Sequence, residues 1–379
     1  MTQRELIGPG TIGSAGQVLD ELSARRVFLV TGRASFAASG AEEKLSAALA
    51  GREVARFRDF APNPQFGDAC AGAERFAEFA PDAVVAVGGG SVLDTAKLVN
   101  YFGATGLEPV KVIQGAAEAV EGGRPMVAIP TTAGSGSEAT RFAVFYLGRA
   151  KHTLALDCLL PSAAIVDPDL TASQPPALTA TAGMDALAQA VESYWSVHST
   201  DASKAFARPA IQRVLANLSK AVHQPAPACR GALAEAANLA GKAINLTRTT
   251  APHAASYPLT ALYGVPHGHA VALTLGAFLR YNAQVGADDV QDARGLEYVR
   301  TTLGELVEML GAATAPEAAE RLEELMRDIG LAVRLCRVGV RTRQELAAVL
   351  DNVKVPAKMN NNPRRVTGEA LREILQSVW

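Results

Sequence analysis

The sequence predicts an α/β domain over residues 1–174, followed by an all-α domain over residues 175–379. Three observations support this division. Short apolar runs without alternation recur in the first part, as in parallel strands that are buried on both faces. After about Pro175 the chain is rich in Ala, Leu and Glu at helical spacing, and we identify no strand there. The Pro175-Pro176 pair between the two parts breaks either kind of element and marks the boundary.

Four strands are predicted in the first domain, each followed by a turn signal: Arg26–Thr31, Ala83–Val87, Met126–Ile129 and Ala163–Val166. Helical patterns at Ala41–Ala50 and Ser91–Phe102 lie between them. Alternating strands and helices predict an open sheet with right-handed crossovers. In the second domain, helical patterns cover residues 178–220, 230–285, 296–330 and 343–353.

The composition excludes several functional classes. The 379 residues carry 36 Lys+Arg against 38 Asp+Glu, which argues against nucleic-acid binding through bulk charge. No apolar stretch is long enough for a membrane span, and the N-terminus lacks the apolar core of a signal peptide. The four cysteines form no CxxC pair. We therefore expect four buried, reduced thiols in a cytoplasmic protein.

A glycine-rich turn follows the second predicted strand. Gly88–Gly90 precede Ser91 and Asp94 at the start of a helix. Glycines allow a ligand to approach the backbone and allow positive φ, while a helix N-terminus offers free N–H groups to a pyrophosphate. The turn is not GxGxxG, and a tight turn without a ligand would explain one or two of the glycines. Three glycines followed by a serine favour an anion site.

A second polar segment, residues 130–138, follows the third predicted strand. Its small hydroxyl side chains suit contacts to phosphate, ribose or nicotinamide at the carboxyl edge of a sheet. A solvated loop with helix caps is an equally good interpretation.

The second domain contains a pattern typical of metal sites. Asp185 and Gln189 lie four residues apart and share one helix face. Three of the six histidines, His253, His267 and His269, fall within 17 residues. A carboxylate with imidazoles suits iron or zinc. From spacing alone, a hydrogen-bonded helix histidine and a turn histidine are a slightly better explanation.

As a set, these segments resemble the iron-dependent (group III) alcohol dehydrogenase family. The resemblance is carried by GGGSVLDTAK (88–97), PTTAGSGSEAT (130–140), AIVDPDL (164–170), PPALTATAGMDAL (175–187), YGVPHGHAVAL (263–273) and NNPRRVT (361–367). It implies the dehydroquinate synthase-like, iron-type alcohol dehydrogenase fold, with a dinucleotide-binding domain and a helical domain. It also implies reversible hydride transfer between a nicotinamide and a small aldehyde.

The resemblance assigns the metal and catalytic residues. It places Fe²⁺ or Zn²⁺ on Asp185, His253 and His267, with Gln189 where the family has a further histidine ligand. An amide oxygen is a weaker donor than imidazole, so Gln189 is either a weak ligand or a neighbour of the site. Tyr257 stands where the family has another histidine. Tyr257, His269 or a water molecule at the metal are the candidate proton donors.

The resemblance also implies the cofactor contacts. They are Asn63, Gly89, Gly90, Ser91, Asp94, Thr131, Thr132, Ser135, Phe142, Lys151 and Leu170. Many relatives hold the adenosine ribose with an aspartate after the first strand, where this chain has Gly32 followed by Arg33. Replacing a carboxylate by a guanidinium favours a 2′-phosphate, so we expect NADPH in preference to NADH.

Within the family, residues 183–200 and 253–270 most resemble the branch that reduces phosphonoacetaldehyde to 2-hydroxyethylphosphonate. A small anionic aldehyde of this kind requires cations, for which Arg141, Lys242, Arg248 and Arg364 are candidates. The alternatives are a general short-chain alcohol or lactaldehyde dehydrogenase, a carbon–oxygen lyase of the dehydroquinate synthase kind, and a nucleotide-binding module with a decayed metal site. We expect a homodimer.

Overall fold

The computed structural model describes residues 3–113, 115, 118–148, 150–353 and 356–379. The chain divides into two compact units, the first ending at Gln174 and the second beginning at Pro175. Among the described residues, no helix has the length and apolarity that a membrane span requires.

The first unit is built on a parallel sheet. Its strands are β1 (Arg4–Ile7), β2 (Arg26–Thr31), β3 (Glu53–Phe57), β4 (Ala83–Gly88), β5 (Met126–Pro130) and β8 (Ala163–Val166). They lie in the order β1-β8-β5-β4-β2-β3, and every adjacent pair is parallel. A separate antiparallel hairpin consists of β6 (Phe142–Leu147) and β7 (Ala150–Ala155).

In the described part of this unit, six helices accompany these strands: α1 (Ala15–Glu21), α2 (Ser35–Ala38), α3 (Ala41–Leu49), α4 (Phe66–Phe79), α5 (Gly90–Thr105) and α6 (Pro109–Ile113). Alternate residues of the central strands face opposite sides of the sheet. Val27 and Val85 belong to one apolar cluster with Leu19 and Leu45, whereas Phe28 belongs to another. Burial on both faces explains why these strands have no polar alternation.

The four predicted strands are confirmed, two with the predicted bounds and two extended by one residue. Strands β1 and β3 were not predicted, because both lie at edges of the sheet and carry polar residues. Glu53 and Val54 of β3, for example, are exposed. The β6–β7 hairpin was also missed.

The second unit is helical, and its described residues form no strand. Its helices are α7 (Pro176–Trp195), α8 (Asp201–His223), α9 (Pro227–Thr247), α10 (Ala251–Tyr263), α11 (His267–Ala283), α12 (Leu296–Met309), α13 (Ala315–Asp328), α14 (Arg343–Asp351), α15 (Pro356–Asn360) and α16 (Gly368–Ser377). The predicted helical stretches are confirmed, although turns divide the first three. At the first division, Thr200 and Ser203 form a capping box that begins α8. Helices α15 and α16 were not predicted.

The cysteines are all free. Only Cys229 is buried, and the expectation of four buried thiols is wrong for Cys70, Cys158 and Cys336. These three side chains are partly exposed.

Candidate cofactor and metal sites

The first candidate site lies at the carboxyl edge of the parallel sheet. Gly32 follows β2, Gly89 follows β4, Thr131 follows β5 and Leu170 follows β8 in a short 3₁₀ turn. Because these strands are neighbours and parallel, their loops meet at one edge, which is where open α/β sheets bind ligands. Helix α5 begins at Gly90, so its N-terminus lies at the same edge and favours an anion.

Close packing explains two of the glycines in this turn. A Cβ at Gly89 would lie 3.1 Å from Thr132 Oγ1, and one at Gly90 would lie 2.7 Å from Ser135 Oγ. The fold therefore brings the turn after β4 against the loop after β5. The expectation of positive φ is wrong here, because none of residues 88–90 adopts it.

Of two further predicted cofactor residues, Asn63 adjoins this turn and Arg33 follows the neighbouring strand β2. The backbone N–H of Asn63 donates to Ser91 Oγ at 3.2 Å, and Asn63 itself has a φ of 61°. Arg33 is exposed at the end of β2, and its Nε donates to the carbonyl of Arg58 at 3.4 Å. Arg58 is exposed too and follows the neighbouring strand β3. Sequence reasoning missed Arg58 because it missed β3.

Asp94 is engaged with the protein. Its carboxylate accepts from Ser137 Oγ at 2.6 Å and from the Val144 N–H at 3.1 Å. Burial raises the pKa of Asp94, while the Lys97 ammonium and both hydrogen bonds oppose that shift. These contacts attach α5 to the segment leading into the hairpin, and a cofactor role for Asp94 stays a prediction.

Lys97, from the same motif, has a structural role that the sequence analysis did not predict. It is 1% exposed, and its Nζ donates to the carbonyls of Ser137, Thr140 and Phe142 at 2.7, 2.7 and 2.8 Å. Burial lowers the pKa of Lys97 to about 8, against the opposing effects of Asp94 and Glu138. One ammonium thus holds the end of the polar segment 130–138 and the residues that follow it.

The remaining predicted cofactor residues lie in different surroundings. Phe142 begins β6, and Lys151 lies on β7 opposite Tyr146. Leu170 is fully buried in the core of the unit. Roles for Phe142, Lys151 and Leu170 stay predictions.

The second candidate site, in the helical unit, is a metal-type cluster. Asp185 lies on α7, His253 in the first turn of α10 and His267 at the start of α11. One potential ligand atom from each lies within 4.8 Å of the others, and His253 Nε2 is 3.5 Å from an Asp185 carboxylate oxygen. Two ligands about 2.1 Å from one ion in tetrahedral geometry lie about 3.4 Å apart, which is close to the 3.5 Å between His253 and Asp185. One carboxylate and two imidazoles at this spacing fit Fe²⁺ or Zn²⁺.

A glycine allows α11 to pack closely against α7 at the cluster. A Cβ at Gly268 would lie 2.0 Å from the carbonyl oxygen of Thr181 and 2.9 Å from Asp185 Cβ. The N-terminus of α11 therefore packs directly on the backbone of α7. This contact brings His267 beside Asp185.

Glu192 orients His253, and sequence reasoning did not assign it a role. It is 0% exposed, and one carboxylate oxygen accepts a hydrogen bond from His253 Nδ1. The other oxygen accepts from the Thr250 N–H at 2.6 Å and from Thr250 Oγ1 at 2.9 Å. Donation from Nδ1 fixes the tautomer in which His253 Nε2 can ligate a metal. The sequence feature that could have identified Glu192 is its position seven residues after Asp185, because this spacing places both carboxylates on one side of α7.

The charges around His253 favour a cation. Burial disfavours the imidazolium, but the carboxylates of Glu192 and Asp185 outweigh burial and raise the pKa of His253 to about 9. The same negative charges stabilise a metal ion.

His267 is oriented by Ser256. The Ser256 hydroxyl donates to the His253 carbonyl at 2.7 Å, and its oxygen lies 3.4 Å from His267 Nδ1. With its hydrogen directed to the carbonyl, this oxygen accepts from Nδ1–H. The Tyr257 ring lies beside His267, at 6.3 Å between ring centroids.

His269 and Gln189 differ in their relation to the cluster. His269 Nε2 lies 2.7 Å from the Ala332 carbonyl, and burial lowers the pKa of His269 although that hydrogen bond opposes the shift. His269 follows His267 by two residues on a helix, which places the two rings on different faces. Gln189 is buried one turn after Asp185 on α7, and its ligation stays a prediction.

The four predicted substrate cations differ in the contacts that they make. Arg141 forms an ion pair with Asp157 in the first unit. In the second unit, Arg364 donates to Asp289 at 2.7 Å and to the Tyr281 carbonyl at 2.7 Å.

Lys242 lies 5.6 Å from the centroid of the Phe206 ring. Arg248 is exposed and lies five residues before His253, with φ 61° and ψ 174°. This backbone region is essentially reserved for glycine. Of the four candidates, only Arg248 lies in the segment that leads directly into a metal-type helix.

A glycine turn at a parallel sheet edge and a buried carboxylate–imidazole cluster are the features expected of an enzyme that uses a nucleotide and a metal ion. The family model described as iron-containing alcohol dehydrogenase matches residues 2–168. The model of the C-terminal part of the Fe-containing alcohol dehydrogenase family matches residues 179–379. The chain belongs to the iron-containing alcohol dehydrogenase family, and it is an NAD(P)-dependent alcohol dehydrogenase or aldehyde reductase.

Three similar proteins illustrate the range of this family. Phosphonoacetaldehyde reductase of Streptomyces viridochromogenes is 39% identical over 78% of this chain and 75% of that protein. The 1,3-propanediol dehydrogenase of Klebsiella pneumoniae is 34% identical over 98% of this chain and 96% of its own length. The crystal structure of sulfoacetaldehyde reductase from Bifidobacterium kashiwanohense in complex with NAD+ has a TM-score of 0.88 and 30% identity. That match covers 99% of this chain and 96% of the other.

Proposed function

We propose that the protein reduces a small anionic aldehyde to a primary alcohol with NAD(P)H, and that the substrate is phosphonoacetaldehyde, which yields 2-hydroxyethylphosphonate. The observation that carries the reaction class is the cluster of Asp185, His253 and His267. The anionic substrate is supported by two similar proteins, whose names specify a phosphonate-bearing and a sulfonate-bearing aldehyde.

The residues at the cluster have two roles, which are to hold a cation and to orient one of its ligands. Asp185, His253 and His267 would hold Fe²⁺ or Zn²⁺, with Glu192 fixing the orientation of His253. A bound divalent ion supplies a Lewis acid that polarises the carbonyl oxygen of the aldehyde.

The reduction also requires a proton for the alkoxide oxygen. Tyr257 is our candidate donor, because its ring lies beside that of His267 and a phenol O–H is a hydrogen-bond donor. His269 is the weaker candidate, since its Nε2 is committed to the Ala332 carbonyl.

We further propose that NADPH is the preferred cofactor. Arg33 and Arg58 lie at the carboxyl ends of the adjacent strands β2 and β3, with Arg33 Nε bound to the Arg58 carbonyl. Two exposed guanidiniums without a carboxylate after β2 suit a 2′-phosphate better than two hydroxyls. Arg33→Asp should shift the preference toward NADH in kcat/KM measured with each cofactor. An unchanged ratio would contradict the 2′-phosphate assignment, and Lys44→Asp, on an exposed residue of α3, serves as the charge-matched control.

The test of the substrate is a comparison of aldehydes at saturating NADPH. Phosphonoacetaldehyde should exceed acetaldehyde, propanal and lactaldehyde in kcat/KM by about two decades, as expected when charged hydrogen bonds hold the substrate. Arg248→Gly probes one candidate cation cleanly, because glycine suits the backbone conformation at this position. We expect this variant to lose efficiency with phosphonoacetaldehyde alone.

A general short-chain alcohol dehydrogenase is the second candidate. It is favoured by the similarity to 1,3-propanediol dehydrogenase over nearly the full length of both proteins. If a neutral aldehyde is reduced as efficiently as phosphonoacetaldehyde, this function replaces the anionic one.

A further inference from the structure

Lys358 brings a positive charge close to the metal-type cluster. It lies on α15, and its Nζ donates to Thr249 Oγ1 and lies 5.5 Å from the centroid of the Tyr257 ring. That ring is in turn 6.3 Å from the ring of His267. The ammonium therefore lies no farther from the His267 ring than the sum of these two distances.

No carboxylate of the described residues forms an ion pair with Lys358, and its known neighbours are a hydroxyl and an aromatic ring. The side chain is half-buried. A cation that is partly removed from water and has no counter-charge is unfavourable by itself. An anionic ligand would remove that cost.

The backbone beside Lys358 carries a second cation. Arg248 directly precedes Thr249, is exposed and adopts the φ and ψ of a glycine. Asn361 also donates to the Thr249 carbonyl at 3.0 Å, which ties this segment to the end of α15. Such strain persists only where the surroundings enforce it, and it clusters at ligand sites.

We propose that Lys358 binds the tetrahedral oxyanion of the substrate, a phosphonate or a sulfonate, while the aldehyde end is directed toward the metal-type cluster. This inference rests on the proposed function and adds the residue that binds the anionic group of the substrate. In its extended conformer, a two-carbon aldehyde separates its carbonyl oxygen from its phosphonate oxygens by up to roughly 5 Å, since bonds of about 1.2–1.9 Å join them. A lysine ammonium is a compact donor suited to such an oxyanion.

The decisive measurement is the selectivity of Lys358→Met. Its kcat/KM for phosphonoacetaldehyde and sulfoacetaldehyde should fall about ten- to a hundredfold, mainly through KM, whereas that for propanal stays within about threefold. Lys358→Arg should recover part of the loss, because it restores the charge. Calorimetric binding of 2-hydroxyethylphosphonate should weaken in parallel, and the ratio of the phosphonate to the sulfonate effect shows which anion the site prefers.

Two control variants separate binding from structure. Lys204 is also a partly buried lysine, 4.7 Å from the Tyr194 ring, so Lys204→Met reports the cost of losing such a lysine away from the cluster. Thr249→Val removes the hydrogen bond to Lys358 but keeps its charge. If Lys358 only supports Thr249, Thr249→Val will reproduce the kinetic defect of Lys358→Met.

The outcomes distinguish this inference from the proposed function. Equal losses with anionic and neutral aldehydes in Lys358→Met overturn the role of Lys358, while a wild-type preference for phosphonoacetaldehyde would still support the function. A wild-type enzyme without any preference for anionic aldehydes overturns both.

Discussion

Replacing Glu192 by glutamine tests how the protein prepares His253 for a metal. Glu192 accepts three hydrogen bonds, one from His253 and two from Thr250. In Glu192→Gln, one of the two oxygens becomes an NH₂ group. If the remaining oxygen faces Thr250, the amide donates to His253 and stabilises the tautomer whose Nε2 carries a hydrogen. If it faces His253, the NH₂ group opposes the Thr250 N–H.

The expected magnitude follows from the contact that is lost. A hydrogen bond to a charged group contributes about 1.5–3 kcal/mol, and such supporting residues typically change metal affinity about 10–100-fold. We expect Glu192→Gln to bind Zn²⁺ about 10–100-fold more weakly, measured by competition with a chromophoric chelator on metal-free protein. Far-UV circular dichroism and urea unfolding establish that the variant is folded.

Glu305→Gln is the matched control, because Glu305 accepts a hydrogen bond from Tyr194 of the same helix α7 without contacting His253. It should leave the affinity for Zn²⁺ unchanged. An affinity of folded Glu192→Gln within twofold of the wild type would refute the orienting role of Glu192.

Further predictions concern packing and a buried charge. Gly268→Ala should destabilise the protein by about 1–3 kcal/mol and weaken Zn²⁺ binding at least tenfold, because its Cβ meets the backbone of α7. Gly276→Ala on the same helix, where the Cβ would meet Ala319 at 3.2 Å, should affect only stability, and equal metal binding in both variants would contradict this reasoning. Lys97→Met should lower the free energy of urea unfolding by about 3–5 kcal/mol, because it leaves three buried carbonyls without their donor and Asp94 without its counter-charge. Lys44 is exposed, so the control Lys44→Met should change this free energy by less than about 0.5 kcal/mol. The pKa of Lys97 falls from 10.5 to about 8 on folding, so the unfolded chain holds this proton between those pH values. The free energy of unfolding of the wild type should therefore rise with pH there relative to Lys97→Met, and parallel pH profiles would contradict the assignment.

The elements that the sequence predicted correctly are those whose signals are local. The central strands are buried on both faces, so uninterrupted apolar runs identify them, as in Arg26–Thr31 and Ala163–Val166. Asp185 and Gln189 are likewise only four residues apart, and this helical spacing correctly predicted that both lie on one helix. Edge strand β3 was missed because it pairs on one side only and its exposed side chains obscure the pattern.

The sequence by itself determined the family, the glycine turn and the residue types that can hold a metal, because each is written in a short contiguous segment. Only the tertiary structure decided which of them meet. Glu192 and His253 are 61 residues apart, and Lys358 and Thr249 are 109 residues apart. Contacts at such separations depend on which helices pack together and at what distance, as the clearance at Gly268 shows. No periodicity within one helix encodes that packing, because it is fixed by the complementary surfaces of two.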